Sequence, residues 1–275
     1  MMKKYKTKST VQAGPGHRAK KSLGQNFLKS QAALTAIISA GEVNAKDIVL
    51  EIGPGKGALT EKLLGAGATV IAVEKDSELF EYLQEKFANE IQNKKLILKN
   101  EDILEFEISP LLDKERGQGV RYKVIANIPY NITGAILKKF LTEKNQPERM
   151  VLLVQREVAQ RIIANDGKES ILSISVKAYG NPKMVMKVPA RYFSPAPKVD
   201  SAVIAITDLN RKLFGQKAVD EEKFWTIVRA GFAHKRKILA GNLKNIAKLP
   251  TDIPINTRAE ELTLTDWIQI TKTVN

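Results

Sequence analysis

Residues 48–57 read Ile-Val-Leu-Glu-Ile-Gly-Pro-Gly-Lys-Gly. Ile48 to Ile52 is a short apolar run of strand length. Gly53, Gly55 and Gly57 then lead into a helical pattern, around Ala58 to Leu64. A strand that passes through glycines into a helix opens a βαβ unit. The glycines let the backbone turn sharply and approach a ligand closely. The same turn serves NAD as well as other nucleosides, so it does not name the ligand.

The alternation continues outward. Upstream, Ala32 to Ile38 suits a helix, with Gly41 at its end. Downstream, Thr69 to Val73 is a strand ending in Glu74, and Ser77 to Ile91 is a charged amphipathic helix. Leu96 to Leu98 is a third strand, followed by Asp102. Lys123 to Ala126 is a fourth, ending in Asn127-Ile128-Pro129-Tyr130. Thr133 to Leu141 reads as helix, Met150 to Val154 as strand, and Glu157 to Ala164 as helix. Ile171 to Ala178 and Ala202 to Thr207 read as strands around a Pro-rich turn, Ser194 to Pro197. This order specifies an α/β fold: a mostly parallel, Rossmann-like sheet with helices on both faces. Ligands in such folds sit at the carboxyl ends of the strands.

After about Asn210 the strand signal disappears. Phe224, Val228 and Phe232 recur at helical spacing. Asp220, Glu221 and Glu222 precede them and Lys235, Arg236 and Lys237 follow, a charge order that complements a helix dipole. Three parts are expected: a basic flexible arm at 1–19, an α/β domain at 20–209 and a small all-α domain at 210–275.

Composition narrows the classes. The 275 residues contain no cysteine, which excludes disulfides, thiolate metal sites and cysteine nucleophiles and fits a reducing cytoplasm. No metal site is expected. No apolar run approaches the roughly 20 residues that span a bilayer. No apolar segment follows the basic N-terminus, so a secretory signal is not expected. The net charge is +14, and no Asp or Glu precedes Glu42. Solubility alone would account for some of this excess. The acid-free start and the 235–237 cluster point to a polyanion, nucleic acid above all. An anionic membrane would also attract these charges, but no basic amphipathic helix with exposed aromatics supports it.

Glu74 stands where an acid would accept both ribose hydroxyls of a nucleoside, although a solvated strand-end carboxylate reads the same way. Asp102 either caps a turn or accepts from an adenine amino group. The loop at 127–130 has a use at each position in methylating an exocyclic amine. The lone pair of adenine N6 is delocalised into the ring, so the amine is a poor nucleophile. Acceptors aimed at its hydrogens localise that pair. The Asn127 side-chain oxygen and a carbonyl at Ile128 or Pro129 can supply them. Proline stiffens the loop. Tyr130 offers a face on which an extruded base stacks. A sulfonium methyl donor is already activated, so alignment suffices and no strong base is needed. A proline turn capped by Asn is the bland alternative.

These segments resemble the small-subunit (16S) ribosomal RNA adenine N6,N6-dimethyltransferases. The match runs through Lys21-Ser-Leu-Gly-Gln-Asn-Phe-Leu28, Glu51-Ile-Gly-Pro-Gly55, Asn127-Ile-Pro-Tyr-Asn131, Phe193-Ser-Pro-Ala-Pro-Lys-Val-Asp-Ser-Ala-Val203, His234-Lys-Arg-Lys237 and Arg258-Ala-Glu-Glu-Leu262. The resemblance implies a class I methyltransferase sheet and S-adenosyl-L-methionine as cofactor. It implies that Asn26 and Leu28 close over the methionine part, with Gly53 and Gly55 at the glycine turn. Glu74 would hold the ribose, Asp102 the adenine, and Asn127 both cofactor and target base. Phe193, which alone reads as core, would cover the other face of that base. Lys235, Arg236 and Lys237, which alone read as a solvated helix end, would contact RNA phosphates. No role is carried onto the arm. The implied protein is a cytoplasmic monomer acting on small-subunit rRNA in the pre-30S particle, with no membrane partner. The related macrolide-resistance enzymes, which modify large-subunit rRNA, are a rival; Val199-Asp-Ser-Ala202 and the 234–237 cluster favour the first family. A non-catalytic ribosome-assembly factor and an NAD-dependent oxidoreductase remain as readings of other classes.

Overall fold

The computed structural model describes residues 18–108, 121–164, 166–215 and 219–274. The expected arm lies outside the described residues, apart from Arg18 and Ala19. The strands are β1 (Phe27–Leu28), β2 (Ile48–Ile52), β3 (Thr69–Val73), β4 (Leu96–Lys99), β5 (Lys123–Asn127), β6 (Arg149–Gln155), β7 (Asn181–Val188), β8 (Phe193–Ser194) and β9 (Ser201–Thr207). Seven of them form one sheet in the order β4-β3-β2-β5-β6-β9-β7, while β1 pairs with β8. β2 to β6 run parallel, and β9 runs antiparallel to both of its neighbours, β6 and β7.

Parity explains why the central strands are mainly apolar on both faces. Ile48, Leu50 and Ile52 of β2 enter one core cluster, and Val49 enters the other. In β6, Met150, Leu152 and Val154 face the first, Val151 and Leu153 the second. Successive side chains alternate faces, so a strand covered on both sides has no polar parity. Helices α1 (Gln31–Gly41) and α2 (Ala58–Gly65) cover one face. Helices α5 (Thr133–Thr142), α6 (Arg156–Ile163) and α7 (Ile171–Lys177) cover the other.

The structure corrects several expectations. Ile171 to Ala178 is not a strand but helix α7. Ser170 accepts from the Ser173 amide, and Ser173 returns the bond to Ser170, a capping box that starts a helix. The strand in this region is β7, whose alternating exposure follows Met184, Met186 and Val188. The expected helix Ser77 to Ile91 breaks at Phe87 into α3 (Ser77–Lys86) and α4 (Ala88–Gln92). The left-handed residue ending α1 is Glu42, not Gly41. Gly41 is small for packing instead: a Cβ there would fall 2.5 Å from Ile125.

Beyond β9 the described elements are helical, as expected: α8 (Glu221–Gly231), α9 (Leu239–Leu243) and α10 (Leu264–Lys272). Asp220 caps α8 by accepting from the Lys223 amide. Phe224, Val228 and Trp267 join the same core cluster as one face of the sheet. Among the described residues no helix is long and apolar enough to cross a membrane.

Candidate active site

The carboxyl ends of β2, β3 and β5 open onto a cavity of about 940 Å³. Its wall contains Gly53, Gly55, Glu74, Asp102, Asn127 and Pro129, brought together from separate turns, and Asn26 and Leu28 from the N-terminal segment. This volume suits a nucleoside-sized ligand.

The glycine turn and Glu74 form one unit. Gly53 and Gly55 have φ of 64° and 60°, a left-handed backbone that favours glycine. A Cβ at Gly53 would meet nothing within 4 Å, so that side is open cavity. A Cβ at Gly55 would come within 3.0 Å of the Phe27 ring. The Gly55 amide donates to Glu74 Oε2 at 3.0 Å, and the Asp76 amide donates to Oε1 at 2.9 Å. Each oxygen of a carboxylate can accept again, which leaves Glu74 able to take two hydroxyls. Burial holds its carboxyl above the usual carboxylate range.

Asp102 fits its reading as a turn cap. Its Oδ1 accepts from the Leu104 amide as a turn cap, and its Oδ2 pairs with Lys75 at 2.6 Å. The Lys75 ammonium lowers its carboxyl below the ordinary value.

At the end of β5, Asn127 Nδ2 donates to the Asn26 carbonyl at 3.0 Å. That bond assigns Oδ1 as the side chain's acceptor. Pro129 follows with φ −60° and ψ 129°, extended backbone that directs the loop along the cavity wall. Tyr130 stands beside the wall rather than in it, half-buried, with its hydroxyl bonded to Ser201 Oγ.

Phe193 departs from the role implied for it. The ring is 2% exposed within the core, and β8 pairs it with Leu28. Ser194 and Pro195, not Phe193, reach the cavity wall. A ring in close-packed core offers no face to a base, so the structure supports the reading of Phe193 from its apolar setting alone. Lys235, Arg236 and Lys237 are exposed, as both readings require, but they lie in the turn beyond α8, which already ends at Gly231.

Two features at or near the wall were not assigned from sequence. Glu51 is buried beneath the glycine turn, accepts from Thr60 Oγ1 at 2.7 Å, and is pushed up to about 8 by burial. A charged residue inside the run Ile48 to Ile52 was its signal. The second is the tie of Lys20 and Gln25 to Asp76, which spans 56 and 51 residues and leaves no local pattern.

The family model for ribosomal RNA adenine dimethylase matches residues 16–275. The chain belongs to the ribosomal RNA adenine dimethylase family. Relatives of this dimethylase include the ribosomal RNA small subunit methyltransferase A of Dehalococcoides mccartyi strain CBDB1. It is 40% identical over 260 residues, covering 91% of this chain and 86% of that protein. The protein of the same name from Thermosynechococcus vestitus is 39% identical over 270 residues, covering 93% and 96%. Among solved structures, a dimethyladenosine transferase from Plasmodium falciparum superposes with a TM-score of 0.73 at 26% identity, covering 89% of this chain and 95% of that one. The 23S rRNA methyltransferase ErmE gives 0.71 at 23% identity, covering 90% and 99%, a likeness of fold.

Proposed function

We propose that this dimethylase transfers methyl groups from S-adenosyl-L-methionine to N6 of two adjacent adenines near the 3′ end of small-subunit rRNA during ribosome biogenesis. The observation that carries the reading is the junction of Asn127 with Asn26 at the cavity, beside Glu74 on its glycine turn. The names of the relatives at about 40% identity support the choice of subunit.

The residues suit the cofactor. Glu74 has lone pairs left for the ribose hydroxyls, and the open side of Gly53 leaves room for the ligand. Asp102 takes the adenine amino group once Lys75 yields Oδ2. Asn26 and Leu28 cover the methionine part. The bound cofactor supplies a methyl already activated by its sulfonium. Asn127 Oδ1 and a carbonyl at Ile128 or Pro129 accept from N6 and localise its lone pair. Pro129 holds those acceptors still, and Tyr130 supplies the stacking face. Phe193 acts indirectly, by fixing the strand that carries Leu28. The α/β part at 20–209 does the chemistry, and the helical part at 210–275 holds RNA through Lys235, Arg236 and Lys237. A monomer in the cytoplasm suffices for this work.

The test is to incubate the protein and labelled S-adenosylmethionine with undermethylated small and large subunits separately. Dimethylation of two neighbouring adenines in the small subunit is expected. Transfer only to the large subunit, or to a single adenine, overturns the reading.

A further inference from the structure

Asp76 is a carboxylate the chemistry above does not use. Its side chain is fully buried, yet it caps α3 by accepting from the Glu78 amide at 3.1 Å. Its other contacts come from far upstream. Lys20 Nζ donates to Oδ1 at 2.7 Å, and Gln25 Nε2 donates to Oδ2 at 2.7 Å. Gln25 Oε1 accepts from the Lys20 amide at 2.7 Å, which closes the segment into a loop on one carboxylate. The Asp76 amide donates to Glu74 Oε1. One residue therefore ties the N-terminal segment to the acceptor proposed for the ribose.

That segment is a cover. Arg18, Ala19, Gln25, Asn26 and Leu28 all line the cavity. Among the described residues its other backbone anchors are the two-residue pairing of β1 with β8, the Lys29 amide on the Tyr192 carbonyl and the Asn26 carbonyl that accepts from Asn127 Nδ2. A buried carboxylate that gives up two donors loses their stabilisation, so separation of the segment from Asp76 is costly. A ligand gripped by both Glu74 and the cover binds the closed form better and shifts the population toward it.

We propose that Asp76 is a positioning residue: it latches residues 18–28 over the cofactor and couples that closure to Glu74, so that each exchange of spent cofactor requires Lys20 and Gln25 to leave it. The proposal rests on the reading that this cavity holds S-adenosylmethionine. Repeated methylation of one adenine makes the exchange obligatory, since every methyl consumes one cofactor.

The experiment compares the parent with Lys20→Met, Gln25→Leu and the conservative Lys20→Arg, all leaving the core intact. Hydrogen exchange is measured on the cofactor-free protein, and dissociation of S-adenosylhomocysteine by stopped flow. Loss of the Lys20 ammonium, which bonds Asp76 and also pairs with Glu78 at 3.3 Å, predicts about tenfold faster exchange at Leu23 and at residues 26–29, and about tenfold faster release, in Lys20→Met. Gln25→Leu shifts both in the same direction. Exchange in β3 and α3 stays at the parental rate, and Lys20→Arg restores both readouts. Unchanged exchange of the cover overturns the latch, as does equal acceleration in α3, which marks general loosening. If the parent binds no S-adenosylmethionine, the functional reading falls while the exchange data still judge the latch. If small-subunit methylation persists with an unaltered cover, the latch alone falls.

Discussion

The Asn127 side-chain amide donates to the Asn26 backbone carbonyl across 101 residues of sequence. This bond orients the proposed amine acceptor and joins the 127–130 loop to the N-terminal segment along the cavity. Removal of the Asn127 side chain therefore costs more than one acceptor. Asn127→Ala is expected to lower the methylation rate by about 10²–10³ while RNA affinity stays near that of the parent. Single-turnover methylation with a filter-binding control checks this, and near-normal turnover removes the role.

Glu74→Ala takes away the proposed ribose acceptors and the partner of the Gly55 amide together. Hydrogen bonds to a charged group contribute about 1.5–3 kcal/mol each, so cofactor affinity falls at least tenfold. Titration calorimetry reads the change, and an unaltered dissociation constant would take Glu74 out of the site.

Glu51 gives a pH dependence with a defined sign. Its carboxyl is pushed from 4.5 up to about 8 by burial. Below pH 4.5 it is neutral folded and unfolded alike. Between 4.5 and 8 the unfolded chain releases the proton and the folded chain retains it, so this group's contribution to stability falls as pH rises, then levels off. Glu51→Gln, which keeps the shape without the ionisation, is expected to gain stability relative to the parent as pH rises from 5 to 8. Parallel melting curves across that range decide it; a constant difference refutes the assignment.

Neutralising Lys235, Arg236 and Lys237 tests the exposed cluster. If each touches a phosphate, the slope of log affinity against log salt flattens by somewhat under one unit per residue. Equal slopes for parent and triple variant mean that these side chains face only solvent.

The parallel strands were legible because burial on both faces leaves a short, mainly apolar run: Met150 to Val154 is wholly apolar, and Ile48 to Ile52 is broken only by Glu51. Ile171 to Ala178 misled for the same reason: a short run with no clear period fits strand or helix, and the serines at 170 and 173 decided it through capping. The wall residues Glu74, Asp102 and Asn127 were legible because each lies at or just beyond the carboxyl end of a strand, on the edge where this fold binds ligands. The ties of Asp76 to Lys20 and Gln25 were not, since a bond between positions 51 or 56 apart depends on the finished fold. Phe193 shows the opposite case, where its apolar setting described its place better than the resemblance did.

The pairing of Leu28 with Phe193 also sets a schedule for synthesis. A ribosome making this chain releases β1 early, but the strand that receives it emerges only after β2 to β7. Until then residues 27–28 have no ladder partner, and a nascent chain with its glycine turn already folded stays open to solvent. β7 waits in the same way, because it joins the sheet only through β9. If the proposed cofactor site is right, cofactor capture becomes a late event in synthesis, and a chain truncated before Phe193 would have the cavity floor without the strand that holds residues 27–28 over it.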